Sequence, residues 1–431
     1  MLKFLFKNKI NVELSIKQYK LNLRSPFGTA HSVTTTRTNA LIEIKVEDIR
    51  GFGECGLPPK KPLCYLADYN DIETYFKSWI KEIDEKQKLL SQQQQQQYHY
   101  DAFNRILNQD YFKELRKEMN EDDQQSVYQF LFECLDNCQE NVKDYSYASR
   151  CAIEMALLDG WGKFLKQPIY KLINIPESDS LKPFYYTISM CPTMEEIMDS
   201  TDFGSKYTGY LKIKLDADVE KGMKIIDSIQ KRLLNKSRPI SKISVDANSS
   251  WTPTVARKYL EKLSPMADLI SMVEQPFPIE TLKTISPDQK IDIQHLNEWI
   301  SIKKEYQDSG LLIFADESIC TEKDLDGLVQ LVHGVNVKLE KAGGIRSGLS
   351  TLLKAKEMGL KTWIGSMVAS SLNVSAAAHL LCSLSDYGGD LDGGLLIDDV
   401  TQLFENDAFQ LLDNGLIKMN SNNFGVGVTL K

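Results

Sequence analysis

Six charged side chains fall at the ends of five short apolar runs in the second half of the chain. The runs read YLKIKL, KISVDAN, ISMVEQP, LIFADES and VNVKLEK. They present Lys212 and Lys214, then Asp246, Glu274 and Asp316, then Lys338. Three carboxylates gathered in one place need a cation to hold them together, and a divalent ion does so. Lysines before and after them can flank a bound molecule from two sides. Removing a proton from a carbon beside a carboxylate builds a doubly negative enediolate, which a divalent cation stabilises as a Lewis acid. A lysine among cations can have its pKa lowered and serve as a base. With one lysine on each side, a proton can leave one face and return on the other, which inverts a stereocentre.

Any one acidic strand end is weak evidence, since a solvated loop Asp is commoner than a ligand. Three acids between lysine-bearing strands in a regular register are stronger. Extended runs recur near 184–190, 210–215, 241–247, 269–275, 311–316, 334–340 and 361–366, with amphipathic stretches such as VEKGMKIIDSIQKRLL between most of them. Repeated βα units imply a parallel sheet. Seven to eight of them imply an α/β fold of the (β/α) TIM-barrel type, with its active site at the strand C-termini. Lys212 and Lys214 are two apart on one strand, so their side chains share a face.

The barrel is expected over 146–400, with a polar surface insertion near 278–310. Residues 1–145 read as an α+β capping domain. VELSIKQYKLNL and NALIEIKVED alternate as half-buried strands, and SPFGTAHSVTTTRTN between them reads as a polar loop too long for a tight hairpin. A glutamine run, SQQQQQQYHY, marks a surface insertion near 85–125. YASRCAIEMALLDGWGKFL has apolar residues at helical spacing and should be a buried helix entering the barrel; its Asp159 reads as a capping or packing group. Residues 401–431 are expected to return to the capping domain.

The 431 residues carry a formal net charge of −8, which argues against a nucleic-acid partner. No apolar run reaches the roughly 20 residues that span a bilayer, and the N-terminus lacks a signal-peptide pattern. The expectation is a cytoplasmic enzyme with no membrane partner, compatible with a homo-oligomer. The eight cysteines are scattered and the five histidines show no paired ligand spacing. That disfavours a disulfide framework or a zinc site. Carboxylate ligands favour Mg²⁺.

The order KxK, DAN, VEQP, ADES, NVKLEKAGG resembles the enolase superfamily, muconate-lactonising subgroup, over most of the chain. Asp390 and Asp392 in GGDLDGG, at the expected eighth strand, resemble the DxD pair of its dipeptide epimerases. In that family the pair receives the free α-ammonium of a dipeptide, and two exposed carboxylates suit such a group. The resemblance implies Lys214 and Lys338 as acid/base residues and Lys212 as their companion at the enolate. It implies Asp246, Glu274 and Asp316 as Mg²⁺ ligands, and Thr187, Ser366 and Met367 as substrate contacts. Glu317 and Asn248 are placed behind the ligands.

Three departures bear on specificity. Ser32 stands where Ala-Glu epimerases carry an arginine, which points to a dipeptide with a non-acidic second residue unless Arg37 folds back. Ala369 replaces an acidic residue often found after GSM. Gly393 and Gly394 replace an Ala-Pro, which implies a more flexible floor. The expected activity is a Mg²⁺-dependent dipeptide epimerase, an isomerase. The alternatives are o-succinylbenzoate synthesis or muconate cycloisomerisation, whose substrates lack an ammonium, and a non-catalytic binding protein.

Overall fold

The computed structural model describes residues 1–7, 9–29, 32–61, 63–92, 123–141, 147–234, 236, 238–278 and 293–431. Alternation in the N-terminal part builds a four-stranded antiparallel sheet: β1 (Leu2–Phe6), β2 (Ile10–Gly28), β3 (Val33–Val46) and β4 (Ile49–Cys55). Ile42, Ile44 and Val46 of β3 are buried at the period of two that a one-sided sheet requires.

The stretch expected as a long loop is the distal half of the β2–β3 hairpin. Phe27 pairs with Thr34 and Gly28 with Val33, beyond a register shift between Asn22 and Phe27. Thr29 N donates to Ser32 O at 2.9 Å. Three consecutive β-branched threonines favour extended backbone whatever their polarity, so hydropathy misread them as a loop. His31 lies outside the described residues.

Helices α1 (Tyr69–Gln92), α2 (Asp123–Asn141) and α3 (Tyr147–Leu165) pack on this sheet. Most of the glutamine-rich stretch lies outside the described residues, and its two ends continue α1 and α2. The predicted buried helix is α3, which is covered along most of its length. It lies against β4 because glycines face it. A Cβ on Gly53 would stand 1.9 Å from Ala152 O, and one on Gly51 2.2 Å from Ala156 O. Asp159 is a structural tie, as its position suggested. Its Oδ2 accepts from Phe52 N at 2.9 Å and Lys163 Nζ at 2.6 Å, and its Oδ1 accepts from Val426 N at 2.9 Å.

The second half forms eight parallel strands in sequence order: β5 (Tyr186–Ile188), β6 (Tyr210–Lys214), β7 (Lys242–Asp246), β8 (Ile270–Glu274), β9 (Ile313–Ala315), β10 (Gly334–Val337), β11 (Lys361–Gly365) and β12 (Gly389–Asp390). A bridge from Phe184 to Gly389 brings the first strand against the last, so the sheet is a nearly closed barrel. Connecting helices begin where the sequence supplies caps. Asp218 accepts from Lys221 N ahead of α4 (Val219–Leu233), and Thr252 accepts from Val255 N ahead of α5 (Pro253–Leu263).

Of the polar stretch 278–310, residues 293–308 form helix α6 (Ile293–Asp308). Trp299, Ile302 and Tyr306 bury it, and it packs on α5 as a barrel helix. Residues 279–292 of that stretch lie outside the described residues. The C-terminal residues meet the N-terminal sheet: Phe404 packs edge-on against Tyr19 and Phe52, and Leu403 N donates to Tyr19 Oη at 2.7 Å. Among the described residues no helix is long and apolar enough to cross a membrane.

Candidate active site

The barrel's register aligns the charged residues. Lys214 is opposite Asp246, and Asp246 is opposite Glu274, on neighbouring strands. Asp316 and Lys338 follow β9 and β10 directly. A cavity of about 450 Å³ lies over these strand ends, lined by Thr187, Lys212, Lys214, Lys338, Ser366, Met367, Asp390 and Asp392. Phe27, Thr29, Ser32 and Arg37 of the hairpin roof it, with Pro58, Lys60, Lys61 and Tyr65 from the segment after β4.

The sequence-predicted site residues therefore meet at one place, and lysine–carboxylate pairs join most of the charged ones. Lys212 Nζ lies 2.9 Å from Glu274 Oε1, 2.9 Å from Asp390 Oδ2 and 3.3 Å from Asp246 Oδ2. Lys214 Nζ donates to Asp246 Oδ2 at 2.6 Å and to Asn248 Oδ1 at 3.1 Å. Lys338 Nζ donates to Asp316 Oδ2 at 2.8 Å, while Lys341 Nζ takes Asp316 Oδ1 and its backbone oxygen. Burial works to discharge Lys212 and Lys338. The carboxylates around Lys212 and Lys338 instead hold their ammonium pKa values above the ordinary lysine range. Burial likewise works to raise Asp316, but Lys338 and Lys341 hold it well below the usual carboxylate range. Glu274 goes the other way: burial outweighs Lys212 and pushes it up to about 8.

Among the described residues no group of three or more His, Cys, Asp and Glu side chains is close enough to enclose an ion as it stands. The lysine ammonium groups take the carboxylate oxygens. The donor set nevertheless fits a hard cation. Asp246, Glu274 and Asp316 are buried oxygen donors on consecutive strands, as Mg²⁺ requires. Glu274 Oε2 makes no hydrogen bond of acceptable geometry, although Lys212 Nζ is 2.8 Å away.

Several expectations need correction. Asp390 and Asp392 are not exposed: they retain 4% and 3% of their accessible surface, because the strand ends inside the cavity. Burial, with Asp390 adding to it, raises the Asp392 carboxyl to about 7. Its Oδ2 accepts from Thr187 N at 2.5 Å. Gly393 is closely packed, since a Cβ there would stand 2.8 Å from the carbonyls of Met367 and Ala369. Arg37 was expected to reach the site only if the loop folded back. The continued hairpin puts it in the cavity roof, 7% exposed, over the Phe27 ring at 5.7 Å. It donates to Thr34 Oγ1 and Thr36 O and makes no ion pair among the described residues.

Sequence reasoning missed Lys341, Asn336, Trp363 and Tyr65. Asn336 Nδ2 donates to Glu274 Oε1 at 3.0 Å, and Trp363 Nε1 donates to Asp390 Oδ1 at 2.7 Å. Asn336 and Lys341 flank Lys338 in NVKLEK, so the motif itself held the signal. Trp363 carried none, since a strand tryptophan reads as core.

Residues 204–431 match the family model described as enolase C-terminal domain-like. An enolase superfamily member from Dictyostelium discoideum is 91% identical over 433 residues, covering 100% of this chain and 99% of its own. The chain belongs to the enolase superfamily. An L-Ala-D/L-Glu epimerase from Bacteroides thetaiotaomicron is 26% identical over 413 residues, covering 95% of this chain and 86% of that one. A crystal structure of a dipeptide epimerase from Enterococcus faecalis, complexed with Mg and L-Leu-L-Tyr, superposes with a TM-score of 0.67 at 20% identity, over 97% of this chain and 99% of that one.

Proposed function

We propose that this protein is a Mg²⁺-dependent dipeptide epimerase that inverts an α-carbon by moving protons between two lysines. The observation that carries the reading is the convergence, in one cavity, of Lys214 and Lys338 on separate strands with the DxD carboxylates. Asp246, Glu274 and Asp316 would hold the ion, which when bound supplies charge neutralisation for the substrate carboxylate. Lys214 and Lys338 take and return the α-proton. Lys212 adds positive charge where the enediolate oxygens develop. The acidic end at Asp390 and Asp392 suits an ammonium group, which positions the reacting carbon from a distance. Thr187, Ser366 and Met367 line the space between. The 26%-identical relative is named for the same reaction class.

The lysine–carboxylate pairs support the metal requirement. Asp316 keeps Lys338 protonated, and a protonated lysine is no base. Were Asp316 to share its charge with an ion, it would hold the Lys338 proton less tightly, leaving Lys338 better able to act as a base.

Ser32 pointed to a non-acidic second residue. Arg37 in the cavity roof favours the opposite reading, a side chain with an anionic end, because a buried guanidinium is matched by a planar carboxylate.

The test is a dipeptide library in D₂O with Mg²⁺, followed by mass spectrometry. Deuterium should enter one α-position, and EDTA should abolish uptake. Full exchange in excess EDTA would remove the metal from the proposal. Equal turnover of N-acetylated dipeptides would remove the ammonium site and favour the lyase chemistries of the subgroup.

A further inference from the structure

Gln275 follows Glu274 at the end of β8 and is 1% exposed. Its φ of +40° lies in the left-handed region, which residues with a Cβ rarely adopt. Regular pairing between β8 and β9 ends at Glu274 and Phe314. Beyond that pair the Gln275 side chain takes over from the ladder. Its Oε1 accepts from Asp316 N at 2.8 Å and Ser318 N at 3.2 Å, and its Nε2 donates to Phe277 O at 2.9 Å and Ser318 Oγ at 2.7 Å. Backbone N–H groups only donate and Phe277 O only accepts, so the amide has one possible orientation. The backbone of the same residue is tied on both sides. Gln275 N donates to Phe314 O at 2.7 Å, and Gln275 O accepts from Ser249 N at 2.8 Å. One residue thus joins the ends of β7, β8 and β9, the strands that lead to Asp246, Glu274 and Asp316. On the β7 side, Asn248 and Ser249 also have positive φ, +44° and +64°.

We infer that Gln275 is a positioning residue for the carboxylate site: its amide sets where Asp316 stands relative to Asp246 and Glu274. This rests on the proposed reading of those three acids as cation ligands. Asp316 has its N–H on Gln275 and its backbone oxygen and Oδ1 on Lys341. Its main chain is therefore gripped from both sides, and the direction of its carboxylate follows. Like charges gathered in one place repel, and the amide holds two of the strand ends against that push. The residue type argues the same way. Glycine takes a positive φ at no steric cost and would serve if the turn alone mattered. It would leave Asp316 N and Ser318 N without an acceptor, which is costly for buried groups. Glutamine accepts the backbone strain and supplies four side-chain hydrogen bonds. Strain of this kind persists where the surroundings over-determine it, and it clusters at functional sites.

Gln275→Met and Gln275→Gly test this. Methionine keeps the volume and removes the polar groups. Glycine also removes the amide but relieves the backbone, so it decides the matter if the methionine variant does not fold. The readout is Mn²⁺ titration of the substrate-free protein, with the free ion followed by electron paramagnetic resonance. Asp159→Ala is the control. It too takes the acceptor from two buried backbone N–H groups, of Phe52 and Val426, and Asp159 is not part of the cavity lining. Both Gln275 variants should raise the Mn²⁺ Kd about ten- to a hundredfold, the range for residues that orient metal ligands. The Mg²⁺ concentration for half-maximal epimerisation should rise by the same factor. Asp159→Ala should lower the denaturation midpoint and leave the Mn²⁺ Kd within about twofold, as a distant independent site does. A wild-type Kd in either folded Gln275 variant would overturn the inference. An equal loss of affinity in Asp159→Ala would overturn it too, because any buried lesion would then suffice. A wild type that binds no Mn²⁺ refutes the reading of the three acids as ligands, and the inference falls with it; that failure shows before any variant is made.

Discussion

Replacing Arg37 with methionine separates two substrate classes by a calculable amount. Burial lowers the guanidinium pKa to about 10, from an ordinary value near 12.5. At 1.36 kcal/mol per pH decade, holding that charge in the roof costs on the order of 3 kcal/mol in the ligand-free protein. The sign follows from linkage. A base with a depressed folded-state pKa is a burden at every pH below that value, so at pH 7 the full cost is present. Methionine keeps most of the stem's volume and removes the charge, so the Tm of Arg37→Met should not fall. A substrate carboxylate beside Arg37 recovers charge-assisted hydrogen bonds of about 1.5–3 kcal/mol, roughly ten- to a hundredfold in kcat/KM. The assay is kcat/KM on L-Ala-L-Glu and L-Ala-L-Leu for both proteins. Wild type should favour the acidic dipeptide, and Arg37→Met should lose ten- to a hundredfold on it while changing little on L-Ala-L-Leu. If wild type prefers the neutral dipeptide and the substitution leaves the ratio unchanged, the anionic reading fails and Ser32 was the better guide.

Lys214→Ala and Lys338→Ala should each abolish epimerisation, while one variant still exchanges the α-proton of a single epimer with D₂O; wild-type epimerisation rates in both would refute the two-base assignment. The carboxyl of Asp392, raised to about 7 by burial, is neutral at lower pH and cannot attract an ammonium. With Mg²⁺ saturating, kcat/KM on free dipeptides should therefore fall as pH drops through about 7, and a pH profile of Asp392→Asn should lack that inflection. Asp159→Ala leaves two buried backbone N–H groups, of Phe52 and Val426, without their acceptor. It should cost about 3 kcal/mol or more, read as a lowered denaturation midpoint with the active-site chemistry intact in the surviving fold.

Period and punctuation carried most of the fold. Strands β6 to β10 were legible because each is a short apolar run ending at a charged residue, and Lys212 and Lys214 two apart announced an inward face. The hairpin was not legible. Its distal residues are polar and roof a cavity rather than cover a core, so neither alternation nor hydropathy marks them, and their extended form comes from Thr34–Thr36 and pairing with β2. Helix α6 was absorbed into a presumed insertion because its buried positions Trp299, Ile302 and Tyr306 are sparse among polar neighbours.

At the site, residue types were readable and pairings were not. A strand end shows that Asp316 is present; that two lysines hold its two oxygens depends on the turn after β10, which brings Lys341 back toward it. The same holds for Trp363, whose meaning changes from packing to polar contact once its indole nitrogen is found on Asp390. These pairings make the charges mutually dependent. Lys212 alone contacts Asp246, Glu274 and Asp390, so removing one carboxylate takes away part of what holds its buried ammonium, and removing the lysine leaves acids that repel. Breaking one member of such a buried set costs more than the pair is worth. The effects of single substitutions here should therefore not add, and a double variant of Lys212 and Asp390 should lose less than the two single variants combined.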